Sequence, residues 1–363
     1  MSKFDVIIVG GGIAGASLGA EIAASRRTLL IEAEDQCGYH STGRSAAFYL
    51  ESYGGPEVAK LTLASRPFLA EPPRDFSENS FLRVRGDLHI TRDELPDVPP
   101  EVETRIVERD ELERMVPGIK PEWRRALFEP GCADIEAAAL HAAYLRRFRR
   151  NGGELATRAR LAGAQRAGGH WNVTLDDGSS VEAPVLVNAA GAWADAVAEA
   201  AGVAPLGIAP KRRTMVQLRV GRSGLRELPL VDGADGSFYF KGEGDNSVWL
   251  SPHDEIESDP CDAAPEEIDI AIAIDRFEQV VDWPIERVER SWAGLRSFAP
   301  DRLPVYGFDP DAPGFFWCAG QGGFGIQTSP AAAKLAAAVL LGEPPDPSVA
   351  DIDAEIYSPR RFD

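Results

Sequence analysis

The first thirty or so residues constrain this chain more than any other stretch. Asp5-Val6-Ile7-Ile8-Val9 is a short β-branched apolar run with the length of a fully buried parallel strand. Gly10-Gly11-Gly12 follows at once. Ile13 to Ala24, rich in Ala and Leu, then reads as a helix ended by Arg26-Arg27. Thr28-Leu29-Leu30-Ile31 is a second buried strand, and it closes on Glu32. Together these segments make one βαβ unit, with Gly10-x-Gly12-x-x-Gly15 between its first strand and its helix. Gly10 permits the tight turn, Gly12 lets backbone approach a pyrophosphate, and Gly15 lets helix and strand pack closely. The helix N-terminus offers free N–H groups and the positive end of its dipole to phosphates. Glu32 stands 22 positions after Gly10, where a carboxylate accepts both hydrogen bonds of a ribose diol and repels a 2′-phosphate. The pattern points to a dinucleotide site; the alternative is a glycine-rich turn that holds nothing.

Two further segments favour FAD over NAD. Gly38-Tyr39-His40-Ser41-Thr42-Gly43-Arg44-Ser45-Ala46-Ala47 follows the second strand, and its small residues and hydroxyls suit a segment lying along an extended cofactor. Near the C-terminus, Phe315 to Ala319 is a buried strand that runs into Gly320-Gln321-Gly322-Gly323-Phe324-Gly325. An Ala-rich helix is expected after it, from about Ser329 to Leu341. N–H groups there can stabilise negative charge on a flavin ring. Read as ordinary loops, the two segments carry no such meaning.

Between these ends the pattern alternates. Leu140, Tyr144 and Phe148 mark an amphipathic helix over 136–150, stopped at Asn151-Gly152-Gly153. Residues 155–187 read as a β-meander with Asp176-Asp177-Gly178 as a hairpin turn, and Pro184 to Asn188 leads into Ala189-Ala190-Gly191 and a second helix. Segments 214–220, 237–241 and 246–251 alternate as antiparallel strands, and 265–282 reads as a helix with an acidic start. The prolines of 95–100 exclude an interior strand or helix. The tail after Pro344 is expected on the surface. The fold class is therefore mixed α/β, a Rossmann-like dinucleotide domain interleaved with a domain on an antiparallel sheet. The expected bounds are 1–80, 134–206 and 297–363 for the first domain, and 81–133 and 207–296 for the second.

The charge narrows the partners. The 363 residues carry 38 Lys and Arg against 57 Asp and Glu, a net −19, which argues against nucleic acid or an anionic membrane. No apolar run reaches the ~18 residues of a membrane helix, and the N-terminus lacks a basic leader. Cys37, Cys132, Cys261 and Cys318 lie far apart without CxxC or His spacing, so a cytoplasmic chain with free thiols and no metal site is expected.

Longer stretches resemble the FAD-dependent D-amino acid oxidase superfamily, and within it the bacterial D-arginine dehydrogenases. These are Gly38–Ala47, Val185-Leu-Val-Asn-Ala-Ala-Gly-Ala-Trp193, Pro210-Lys-Arg-Arg213, Ser237-Phe-Tyr239 and Trp292-Ala-Gly-Leu-Arg-Ser-Phe298. Gly314-Phe-Phe-Trp317, Gln321-Gly-Gly-Phe-Gly-Ile-Gln-Thr-Ser329 and Ser358-Pro-Arg-Arg361 continue the match to the end of the chain. The resemblance implies non-covalent FAD along Ala14, Ala33, Leu161, Gly191, Trp193, Ile326 and Gln327 as well as the segments above, with Phe48 beside the flavin. It implies a substrate carboxylate gripped by Arg213 and Arg296, hydroxyls of Tyr53 and Tyr239 that orient the substrate, and an amine received by the Gly323 carbonyl. Asp87 falls where an acid meets a cationic substrate side chain. The apolar setting of Arg213 and Arg296 agrees, because an unpaired Arg is rare there.

The chain departs from that pattern in three places. Phe48 stands where the family carries His, Asp87 is one methylene shorter than the family's Glu, and Asp232 stands on an otherwise apolar wall. If Asp232 faces solvent, Phe48 and Leu50 make the pocket more apolar. No Cys follows closely after Arg296, so the covalent flavin link of sarcosine oxidases is not expected. The expected reaction is hydride transfer from a D-amino acid to the flavin, giving a 2-oxo acid and ammonia, with oxygen or a quinone-like carrier as acceptor. No general base is evident; His40 is the nearest candidate, and proton loss to water is the default. The alternatives are oxidation of glycine, N-methyl amino acids or 2-hydroxy acids, or a non-catalytic FAD subunit.

Overall fold

The opening βαβ unit seeds a six-stranded sheet in a computed structural model that describes residues 2–98 and 100–362. Met1, Pro99 and Asp363 lie outside the described residues, so the reading of 95–100 as a prolyl linker stands only for its other positions, which form no helix or strand. The sheet order is Glu154–Ala156, Thr28–Ile31, Val6–Val9, Val185–Asn188, Phe315–Ala319 and Val305–Phe308. All pairings are parallel except the last. Side chains alternate between the two faces of such a sheet. Val6, Ile8, Leu30, Val187 and Phe316 pack on one side with the helices Ile13–Ile22, Ala137–Arg150 and Gly325–Leu341. Ile7, Val9, Leu29, Leu186, Phe315 and Trp317 pack on the other with the meander Leu161–Ala167, His170–Leu175 and Ser180–Ala183. Both faces are covered, which is why these strands read as unbroken apolar runs.

A ten-stranded sheet carries the other half. Its central order is Ile285–Phe298, Ala209–Val220, Ser247–Ser251, Tyr239–Gly242, Leu230–Gly233, Asp87–Thr91 and Arg125–Glu129. Pairing is antiparallel except between Leu230–Gly233 and Asp87–Thr91. Val216, Val231, Phe240, Val248 and Leu250 bury one face against Ala273 and Phe277 of the helix Glu267–Glu278 and against Trp283. The alternate residues Arg213, Met215, Asp232 and Tyr239 are left on the opposite face, toward the first sheet.

Three local expectations change. The C-terminal helix begins at Gly325, not near Ser329. Pro330 has no N–H to give the helix, and Ser329 Oγ donates to the Ile326 carbonyl (2.9 Å) that the proline leaves unpaired. Glu154–Ala156 joins the parallel sheet, so the meander starts at Leu161. The tail is pinned and not merely superficial: Tyr357 is fully buried and donates to the Glu57 carbonyl (2.7 Å).

Candidate active site

One continuous cavity of about 410 Å³ runs from the first glycine turn to the face of the large sheet. At its first end, Gly10, Gly12, Ala14, Glu32 and Ala33 line the wall. Gly10 has φ 107, and a Cβ on Gly15 would lie 2.0 Å from the Gly10 carbonyl, so both glycines are required by the turn. Gly15 therefore acts in packing and does not line the cavity. Glu32 accepts from the N–H of Gly11 (2.8 Å) and of Glu34 (3.0 Å), one on each oxygen. Each oxygen keeps a lone-pair direction for a diol.

The segment after the second strand runs along the cavity through Ser41, Thr42, Arg44, Ser45, Ala46 and Ala47. It is tied to the large sheet at several points. Ser41 Oγ donates to the Leu295 carbonyl (2.6 Å), Arg44 Nη1 to the carbonyl of Ala263 (2.9 Å), and the Trp292 indole to the Arg44 carbonyl (2.9 Å). Thr42 Oγ1 accepts from the Ile13 N–H at the helix start (3.0 Å). Gly43 is not on the wall; its N–H closes the local turn onto the Gly38 carbonyl (2.8 Å). Leu161, Gly191 and Trp193 complete the opposite side. His40 pairs with Glu34 (3.0 Å) and lies against Trp193, which occupies it away from any proton transfer at the large sheet.

Gly322, Gly323, Gly325, Ile326 and Gln327 line the middle, where the helix Gly325–Leu341 presents its first turn. The first N–H groups of a helix have no partner within it. Phe324 is buried beneath, 5.0 Å from the Tyr53 ring, and is not on the wall. Gln327 holds the Leu50 N–H and Thr62 Oγ1 with its amide, so it fixes neighbouring backbone.

The far end carries the charge. Arg213 is 4 % exposed, and its Nε donates to the Asp254 carbonyl (2.7 Å). Its two terminal nitrogens have no hydrogen-bond partner among the described residues. Burial, and next the charge of Arg296, pull this guanidinium below its ordinary range. A bound anion would relieve both penalties. Arg296 donates to Tyr53 Oη (2.6 Å), and Tyr239 Oη donates to Met215 Sδ (3.0 Å). A Cβ on Gly323 would lie 2.8 Å from Tyr53 Oη and 2.9 Å from Arg296, so only glycine leaves this pair its place.

Among the expected substrate contacts, Asp87 is the one that does not line the cavity. It is fully buried and off the cavity wall. Its neighbour Glu129 is held by the Glu51 N–H (2.8 Å), which ties these strand ends to segment 48–51. The acid on this wall is Asp232, which accepts from His89 Nδ1 (2.8 Å). Phe48 and Leu50 line the wall beside it, with Phe48 6.0 Å from the Tyr239 ring. The sequence reading missed Met215 and His253, which also line this end. His253 has φ 53 and bonds through Nδ1 to the Gly236 carbonyl; burial, then the charge of Arg213, push its pKa down to about 4. No local motif announces it.

A doubly covered parallel sheet with a glycine turn, an acid after its second strand and a cavity opening onto an antiparallel sheet defines a flavoprotein oxidoreductase. The chain belongs to the DAO family, FAD dependent oxidoreductases, whose pattern it matches over residues 5–339. FAD is its cofactor, and the cradle described above fits that group. FAD-dependent oxidoreductase domain-containing protein 1 of Bos taurus is 24 % identical, over 93 % of this chain and 81 % of that protein. The alignment with its Xenopus laevis counterpart spans 42 % of that protein. Mitochondrial dimethylglycine dehydrogenase of Rattus norvegicus is 25 % identical, over 94 % of this chain and 44 % of its own length. The fold superposes on L-proline dehydrogenase from P. horikoshii with a TM-score of 0.82 at 19 % identity, covering 99 % of this chain and 98 % of that one. No described helix is long and apolar enough to cross a membrane.

Proposed function

We propose that the protein oxidises the amine-bearing carbon of a D-amino acid, with Arg213 and Arg296 gripping its carboxylate. The observation that carries this reading is the pair of buried Arg213 terminal nitrogens on the cavity wall that make no hydrogen bond, Nη2 keeping only a 3.6 Å ion pair with Glu255. A buried guanidinium in that state calls for a planar anion that accepts two hydrogen bonds. FAD supplies the hydride acceptor when bound. The residues do the rest. Arg296 and Tyr53, bonded to each other, orient the carboxylate; Gly323 leaves room for them and offers its carbonyl to the amine. Phe48, Leu50 and Met215 keep that region apolar, which favours the neutral amine whose lone pair assists the reaction. The imino acid product hydrolyses to a 2-oxo acid and ammonia.

The D configuration rests on the motif likeness to D-arginine dehydrogenases. A cationic side chain is favoured by Asp232, which takes on this wall the part expected of Asp87. Asp232 lies three strands across the sheet from Arg213, roughly 14 Å between backbones. That separation suits a substrate with a carboxylate at one end and a cation at the other. The likeness to dimethylglycine dehydrogenase favours a second reading, an N-methyl amino acid. Steady-state rates with D-lysine, D-norleucine, sarcosine and dimethylglycine separate the two. D-lysine well ahead of D-norleucine, with the preference lost in Asp232→Asn, supports the first reading. Turnover confined to the N-methyl substrates overturns it. Oxygen consumption in the same assay distinguishes oxygen from a quinone-like acceptor.

A further inference from the structure

Behind the Asp232 wall lies a set of groups that the oxidation chemistry does not use. Asp87, His89 and Glu129 are 0 %, 6 % and 1 % exposed. Asp87 and His89 are two apart on one strand and so share a face. Glu129 is the register partner of Asp87, and Asp232 that of His89, on the strands to either side. Both Asp87 carboxylate oxygens, His89 Nε2 and Glu129 Oε2 are buried without a hydrogen-bond partner among the described residues. Four such atoms at one spot need an explanation, because an unpaired buried polar group is costly.

We propose that this is a divalent metal site, with Asp87, His89 Nε2 and Glu129 as ligands and a zinc-class ion as occupant. His89 Nε2 lies 3.6 Å from Asp87 Oδ2 and 3.8 Å from Glu129 Oε2. Ligands about 2.1 Å from a tetrahedral ion stand about 3.4 Å apart, close to the separation of His89 Nε2 from each carboxylate. The second Asp87 oxygen or a water fills the fourth position. The remaining ring nitrogen, Nδ1, donates to Asp232 at 2.8 Å, the carboxylate–imidazole–metal arrangement that fixes a ligand's tautomer. Ligand atoms of Asp87, His89 and Asp232 all lie within 4.8 Å of one another, and Asp232 also lines the cavity. A divalent ion with a neutral imidazole leaves −3 + 2 = −1 on the cluster, with Asp232 facing the cavity. The oxygen and nitrogen donors suit zinc, manganese or cobalt and not a thiophilic ion.

The site meets the substrate reading only at Asp232; its ligands Asp87, His89 and Glu129 are not substrate contacts, and its test does not use activity. The flavin-loaded protein is analysed for metals as purified, treated with a chelator, and titrated calorimetrically with Zn²⁺ while the flavin spectrum confirms that it stays intact. One ion per chain at sub-micromolar affinity is expected, weakened roughly 10²-fold or more in His89→Gln and Glu129→Gln and roughly 10- to 100-fold in Asp232→Asn. Asp177→Asn, on an exposed hairpin, leaves binding unchanged. X-ray absorption at the zinc edge reads the ligands in the wild type, so the test stands even if a buried variant fails to fold. Nitrogen and oxygen ligands near 2.0–2.1 Å are expected. Absence of stoichiometric binding, or sulfur ligands near 2.3 Å from the exposed Cys261 or from Cys132 buried near Asp87 and Glu129, overturns the proposal.

Discussion

At the scale of single residues, the account turns on side chains whose partners are incomplete. Arg213→Met removes the buried guanidinium, and kcat/KM is expected to fall roughly 10²- to 10³-fold, read by steady-state kinetics on the preferred substrate. Gly323→Ala places a methyl group against Tyr53 Oη and Arg296. A misplacement of that size is expected to cost roughly 10²-fold in kcat/KM with little change in melting temperature. His253 gives a pH effect with a definite sign. Its folded pKa, about 4, lies below the ordinary histidine value near 6.5. The unfolded chain therefore takes up the proton first as pH falls. Stability is unaffected above about 6.5 and declines between there and about 4. Melting curves across that window are expected to show the decline, and His253→Gln to flatten it. Arg213 and Arg296 were legible because long motifs surround them. His253 was not, since what brings it to the wall is a left-handed backbone and a carbonyl 17 residues away.

Elements were legible where a single local pattern decides them. Val6–Val9, Thr28–Ile31 and Phe315–Ala319 are covered on both faces, so each is apolar throughout. Ala137–Arg150 shows its buried stripe of Leu140, Tyr144 and Phe148 in the sequence. Asp87–Thr91 is different. It is buried along its whole length yet alternates Asp, Leu, His, Ile and Thr, and its burial comes from strands far away in the chain. The resemblance put Asp87 at the substrate, and these distant strands bury it behind the cavity wall. A buried charge adds to the ties between the two halves. Asp134, on the strand Ala133–Ile135, accepts from Arg85 (2.7 Å) and from Lys241 (3.0 Å) of Tyr239–Gly242. Those cations hold its carboxyl below the usual range against the opposing effect of burial. Asp134→Asn leaves Lys241 its ion pair with Glu243 and Arg85 its bonds to the Leu228 and Gly242 carbonyls, and chemical denaturation is expected to show a loss of about 1–3 kcal/mol.

At the scale of the molecule, the interleaving of two sheets creates a cavity to which both contribute. The glycine turn, segment 38–47 and the helix start at Gly325 come from one half; Arg213, Asp232, Tyr239 and His253 come from the other. The cofactor half was readable from motif and period together. The polarity of the far wall was not, because Asp232 could have faced either way on a strand of period two. FAD is expected to bind without a covalent link, since no cysteine lines the cavity and its two histidines, His40 and His253, are held by Glu34 and the Gly236 carbonyl. Acid precipitation should then leave all yellow colour in the supernatant. The central claim, that this cavity oxidises amino acids by way of a carboxylate held on Arg213, is tested most directly by anaerobic mixing of the holoprotein with matched D- and L-amino acids while flavin absorbance is followed. Rapid bleaching by D forms alone, D-lysine and D-arginine fastest, with bleaching abolished in Arg213→Met, is the expected result. A yellow protein that no amino acid bleaches, or one bleached equally well after Arg213→Met, would contradict the account.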